Sequence, residues 1–154
     1  VKGVKYTGTA LYEVTQIKDI CKPGFQVYGG CDELASSNIA LGVDGIIGSF
    51  YNCVPDLFLR IWHAVNANDT AEAAKLQHQA WHVIRLGISS NSMMACLKLW
   101  LRAAGIPAGY ARRPFTNFSV EEEKSLVQSL VALDEKEVIG LELVRRIKAL
   151  QNGD

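Results

Sequence analysis

Apolar and polar residues follow two different periods along this chain, and the change of period divides it. Residues 1–7, "VKGVKYT", suit a short strand closed by Gly8. Over residues 9–22, Leu11, Val14, Ile17 and Ile20 recur at helical spacing until Pro23-Gly24 stops them. "FQVYGG", residues 25–30, reads as a second strand. Residues 32–42 open on Asp32, a residue type suited to an N-cap, and close on Gly42, as a short helix does. "VDGIIGS", residues 43–49, is a third strand. Residues 54–68 place Leu57, Ile61 and Val65 on one helical face. Strand and helix thus alternate three times by residue 66, the pattern of parallel strands joined by crossover helices.

Beyond residue 66 the strand pattern stops. Residues 69–88 are amphipathic, with Asp69 as N-cap. Residues 90–105 form a second helix ending at Gly105, and residues 106–115 are a loop with two prolines. Residues 119–133 begin with the capping box Ser119-x-x-Glu122. A last helix over 135–150 carries Arg145, Arg146 and Lys148 toward its C-terminal end, where the helix dipole favours cations. The expected organisation is residues 1–66 as three βα units and residues 67–154 as a helical region.

Three parallel strands leave uncovered edges. The common remedies are an open doubly wound sheet and a closed eight-stranded barrel. The barrel typically needs about 250 residues, and this chain has 154. It is therefore either a small α/β domain or the C-terminal part of a barrel. The chain begins at Val1 rather than Met, and further sequence before it is expected.

Composition narrows the function. Lys plus Arg and Asp plus Glu each number 16, so the formal net charge is zero, and the cations are scattered. No basic patch for nucleic acid is expected. No apolar run is long enough to span a membrane. Cys21, Cys31, Cys53 and Cys96 form no CxxC pair and are read as free, buried thiols of a reducing cytoplasm. His78 and His82 lie four apart on a helix but have no evident third ligand, so no metal is expected. Trp62, Trp81 and Trp100 occupy apolar helix positions, as core or interface residues do.

Chemistry concentrates where the strands end. The first strand ends in Lys5, Tyr6 and Thr7. The second ends in Gly29-Gly30, followed by Cys31, Asp32 and Glu33. The third ends in Gly48-Ser49, followed by Phe50, Tyr51 and Asn52. In parallel α/β folds the C-terminal strand ends form the ligand site. A lysine in a buried strand is expensive unless paired or neutral. Desolvation makes a neutral amine easier to form, and a neutral amine attacks a ketone to give a Schiff base. The imine then stabilises an adjacent carbanion, with no cofactor. By itself Lys5 reads sooner as a lysine snorkelling at a sheet end than as a nucleophile. Gly29-Gly30 could be only a turn, and Asp32 could cap a helix, bind a ligand, or do both.

"GVKYTGTALYEVTQI", "YGGCDE", "GVDGIIGSFYN" and "RRPF" resemble, in that order, the C-terminal half of the N-acetylneuraminate lyase and dihydrodipicolinate synthase family. The resemblance implies a class I aldolase on a (β/α)8 TIM barrel with extra C-terminal helices. It places the Schiff-base lysine at Lys5 and Thr7 beside the imine. It assigns Gly30, Asp32, Glu33 and Ser49 to the hydroxyls of a sugar acid, and "RRPF" to a structural anchor. Cys31 departs from the aromatic residue that some lyases carry. The implied enzyme is cytoplasmic and tetrameric, and it cleaves N-acetylneuraminate to pyruvate and N-acetylmannosamine. An N-terminal half of the barrel would supply a proton-transferring tyrosine and the carboxylate-binding hydroxyls. Dihydrodipicolinate synthase, a 2-keto-3-deoxy sugar acid aldolase, and a non-catalytic fragment or subunit are the alternatives.

Overall fold

The computed structural model describes residues 1–153. The chain is α/β, of the (β/α)8-barrel class: three parallel strands with crossover helices, then further helices. The strands β1 (Gly3–Tyr6), β2 (Gln26–Gly29) and β3 (Gly45–Ile46) lie in the order β1-β2-β3. Lys5 is opposite Tyr28 and Tyr6 opposite Gly29, while Tyr28 is opposite Gly45. The third strand is far shorter than the seven residues expected. Asp44, just before it, donates its backbone N–H to the Val27 carbonyl at 2.8 Å, and its carboxylate accepts the Val27 N–H at 2.8 Å. That bond and the Lys18 ion pair hold the Asp44 carboxyl below its ordinary range.

The chain divides into two compact units, Val1–Ala80 and a second beginning at Trp81. In the first, α1 (Tyr12–Ile20), α2 (Ala35–Ala40) and α3 (Pro55–Asn66) accompany the strands. The alternation of β1 settles its two faces. Val4 and Tyr6 pack on the core formed by Val14, Val27 and Val43, whereas Lys5 is exposed on the other face. The lysine therefore does not bear, in this chain, the burial cost that its place in the strand suggested. Lys18 of α1 bonds the Gly42 carbonyl and pairs with Asp44 at 3.6 Å, tying α1 to the loop before β3.

The helix α4 (Thr70–Ile88) carries the boundary between the units, with Asp69 capping it by accepting the Glu72 N–H at 3.0 Å. In the second unit α5 (Met93–Ala103), α6 (Val120–Glu137) and α7 (Glu142–Asn152) pack on one another. They bury Trp100, Leu130, Leu141 and Ile147 completely. The capping box of Ser119 and Glu122 is formed. The last helix differs from expectation. Residues 135–137 belong to α6, and left-handed Val138 and Gly140 separate it from α7. Arg145 and Lys148 consequently lie in mid-helix, pairing with Glu142 at 2.9 Å and Glu135 at 2.6 Å.

Three smaller expectations change as well. Cys53 and Cys96 are buried, but Cys21 and Cys31 are only half-buried, and none of the four is in a disulfide. Trp81 is 41% exposed, unlike Trp100. Arg112, Arg113, Pro114 and Phe115 are exposed. The loop is anchored beside them, by Lys98 on the Ala108 carbonyl at 2.6 Å and by Asn117 on the Ala111 backbone at 2.9 and 3.0 Å. Among the described residues no helix is long and apolar enough to cross a membrane, and no group of three potential metal ligands is assembled.

Candidate active site

The strand ends of the first unit bring the candidate residues together around two glycines. Thr7 follows β1 by two residues from Lys5, and both side chains reach Gly30 just beyond β2. A Cβ on Gly30 would meet Thr7 Oγ1 at 2.3 Å and Lys5 Cε at 2.7 Å, so only a glycine leaves them room there. The Gly30 N–H bonds the Tyr6 carbonyl at 2.7 Å, which fixes that spacing. Among the described residues the Lys5 ammonium and the Thr7 hydroxyl have no hydrogen-bond partner, and both side chains are exposed.

Asp32 departs from the helix-cap reading. It sits inside a single 3-10 turn, Asp32–Leu34, whose cap position is Cys31 and has no side-chain bond. Its carboxylate instead crosses to the third strand end, where Oδ2 accepts the Phe50 N–H at 2.9 Å. Asp32 is 7% exposed. Burial pushes its carboxyl up from the ordinary value. The Phe50 N–H opposes that shift, Glu33 adds to it, and Lys5 opposes it again, so the charges of Lys5 and Asp32 feel each other. The Gln77 side chain donates to the Asp32 carbonyl at 3.2 Å and steadies the turn.

Glu33 is half-buried and accepts a hydrogen bond from the Cys31 thiol at 3.1 Å. Burial first, and then that bond, push the Cys31 thiol up to about 11, so it stays protonated at neutral pH. Ser49 is half-buried directly before Phe50, and its carbonyl is held by the Asn52 side chain at 3.1 Å. Tyr51 stacks edge-on with Phe58 at 4.1 Å between ring centroids. Its hydroxyl is buried, and burial first, then the Asp32 charge, raise it far above the ordinary phenol range, with hydrogen bonding to Asp32 adding to the rise.

The Tyr6 hydroxyl is not placed to carry protons from a ligand on Lys5. Tyr6 turns to the opposite face, where its hydroxyl bonds Glu13 and, at 3.1 Å, the Ala10 carbonyl. Gly48 and Tyr51 were not among the residues expected in the site. Both stand at the third strand end, but neither was assigned a role there.

One free amine, two hydroxyl-bearing side chains and two carboxylates around open strand ends can hold a polar carbonyl compound. The profile of the "Dihydrodipicolinate synthetase family" matches residues 1–133. The chain belongs to this family. N-acetylneuraminate lyase of Haemophilus influenzae is 33% identical over 132 residues, covering 86% of this chain and 44% of that protein. The chain thus spans about half the length of the curated relatives it matches. N-acetylneuraminate lyase from Fusobacterium nucleatum, complexed with pyruvate, superposes with a TM-score of 0.75 at 30% identity, over 88% of this chain and 44% of that one. A catalytic lysine mutant of the Ruminococcus gnavus sialic acid aldolase superposes with a TM-score of 0.78 at 26% identity, over 88% and 46%.

Proposed function

We propose that the complete protein is a Schiff-base aldolase that cleaves N-acetylneuraminate to pyruvate and N-acetylmannosamine, with Lys5 as its nucleophile. The observation that carries this reading is the free Lys5 amine, seated with Thr7 against Gly30 at the mouth of consecutive parallel strands. Family membership, the lyase bound to pyruvate and the relative with a catalytic lysine support it.

In this mechanism the Lys5 amine attacks the 2-keto carbon, and loss of water gives a protonated imine. The hydroxyl on C4 yields its proton to a base. The C3–C4 bond then breaks, its electron pair flows toward the imine nitrogen, and the C4 carbonyl leaves as the sugar aldehyde. The remaining enamine is protonated at C3, and water hydrolyses the imine to free pyruvate and Lys5. Thr7 hydrogen-bonds beside the imine. Asp32 and Glu33 accept from the hydroxyls of the sugar tail, and Ser49 donates or accepts. The base and the carboxylate-binding hydroxyls come from an N-terminal half of the barrel.

The test is made on the complete enzyme. Pyruvate with borohydride should leave a reduced adduct on Lys5, and Lys5→Ala should abolish it. N-acetylneuraminate should be cleaved far faster than pyruvate is condensed with aspartate semialdehyde, which has no polyhydroxyl tail for the site to pair. Glu33→Ala and Ser49→Ala should each cost the sugar reaction about 1–3 kcal/mol and spare the adduct. Label on another lysine would refute the mechanism. Preference for the semialdehyde would move the protein to the synthase branch, and no adduct at all would make the chain non-catalytic.

A further inference from the structure

The end of the third strand holds a glycine that its backbone does not require. Gly24, Gly42, Gly105, Gly109, Gly140 and Gly153 have positive φ, but Gly48 does not. A residue with a side chain could adopt its conformation. What forbids one is Asp32. A Cβ on Gly48 would lie 1.4 Å from Asp32 Oδ1, 2.4 Å from its Cγ and 2.8 Å from its Oδ2. The carboxylate fills the volume that any other residue at this position would claim.

Two observations show how tightly that carboxylate is seated. Asp32 is 7% exposed, and its Oδ2 is held by the Phe50 N–H at 2.9 Å, so the carboxylate is fixed rather than free to turn toward water. The nearby Tyr51 hydroxyl is also buried, and Asp32 raises its phenol by charge and by hydrogen bonding, so the two groups are held together.

We propose that Gly48 is a positioning residue of the sugar site, whose missing side chain seats the Asp32 carboxylate against the end of β3. This rests on the aldolase reading above. Gly48 acts through Asp32 and touches no substrate. The Asp32 carboxylate lies at the end of a short side chain with two torsions, so a methyl group at position 48 displaces that carboxylate rather than the strand. The displaced Asp32 loses the Phe50 N–H and its aim. Lys5 and Thr7 rest on Gly30 instead, so imine formation is untouched.

The experiment compares wild type, Gly48→Ala, Asp32→Ala and the double variant in the complete enzyme. Gly48→Ala should lower kcat/KM for N-acetylneuraminate about tenfold or more, chiefly by raising KM. The rate of borohydride-trapped pyruvate adduct formation on Lys5 should not change. In the Asp32→Ala background the same substitution should add less than about twofold, because the group it displaces is already gone. A crystal structure of Gly48→Ala should show the Asp32 carboxylate moved and the Phe50 N–H released. Unchanged sugar kinetics, equal losses in both backgrounds, loss of the adduct together with the sugar reaction, or an unmoved Asp32 would each overturn the proposal. Failure of the aldolase reading is recognised separately, since wild type itself would then form no adduct or would prefer another aldehyde. The crystal structure tests the seating of Asp32 in either case.

Discussion

Lys5 and Tyr6 are neighbours in sequence and opposites in environment, because β-strand side chains alternate between faces. Lys5 stands on the open face with a free amine, while Tyr6 packs on Val14, Val27 and Val43. The Tyr6 hydroxyl bonds Glu13, and a Cβ on Gly8 would meet that hydroxyl at 2.2 Å. Gly8 thereby lets the chain fold over the ring and brings Thr7 back beside Lys5. The Glu13 hydrogen bond first, then burial and the Glu13 charge, raise the Tyr6 phenol from 10.0 to about 12. The folded state therefore holds this proton more tightly than the unfolded state does. The resulting stabilisation is complete below pH 10 and is lost as pH rises from 10 through 12. Denaturation of the complete protein at several pH values should show wild type ahead of Tyr6→Phe at pH 9, with the lead shrinking toward pH 12. A lead that does not vary with pH would show that the hydroxyl does not titrate as its partners dictate.

At the scale of elements, ends are decided by caps and by backbone handedness. α6 starts at a complete capping box and stops at Val138, whose φ of 50° and ψ of 46° are left-handed. A β-branched residue pays about 1–2 kcal/mol for that conformation, whereas glycine adopts it freely. Val138 is 82% exposed and has little packing to offset the strain. Val138→Gly is therefore expected to stabilise the complete protein by about 0.5–1 kcal/mol, after allowance for the extra freedom of glycine in the unfolded chain. Urea or thermal unfolding reads this directly, and a lowered midpoint would mean that the valine side chain contributes a contact larger than its strain.

For the whole molecule, the open sheet is the governing fact. Among the described residues β1 and β3 each pair only with β2, leaving two ladder edges. Next to β3 lies an apolar hollow of about 230 Å³ lined by Ile46, Tyr51, Pro55, Phe58, Leu59 and Trp62. Unpaired edges and exposed apolar surface favour aggregation. Residues 1–154 expressed alone are thus expected to be poorly soluble and inactive, and to gain aldolase activity when an N-terminal half is supplied in cis or in trans. Light scattering and turnover of N-acetylneuraminate measure both properties. Robust turnover by the isolated, monodisperse chain would show that three strands suffice.

The sequence by itself determined the order of the elements, the parallel connection of the strands, the stops at Gly42 and Gly105 and the caps at Asp69 and Ser119. These depend on local period and on backbone preference, which neighbouring residues set among themselves. It also grouped the candidate residues, since Lys5 lies in the last half of β1 and Thr7, Gly30, Asp32, Glu33 and Ser49 follow strand ends. Only the tertiary structure decided what those residues do with one another. Asp32 looked like a helix cap but spends its carboxylate on the Phe50 N–H, 18 positions away in sequence. Lys5 looked buried but stands free, because burial depends on what packs on a face and not on the strand that carries it. Gly48 was read at a strand end but given no role, because its contribution is a volume that a distant side chain occupies, and no local pattern records the shape of empty space.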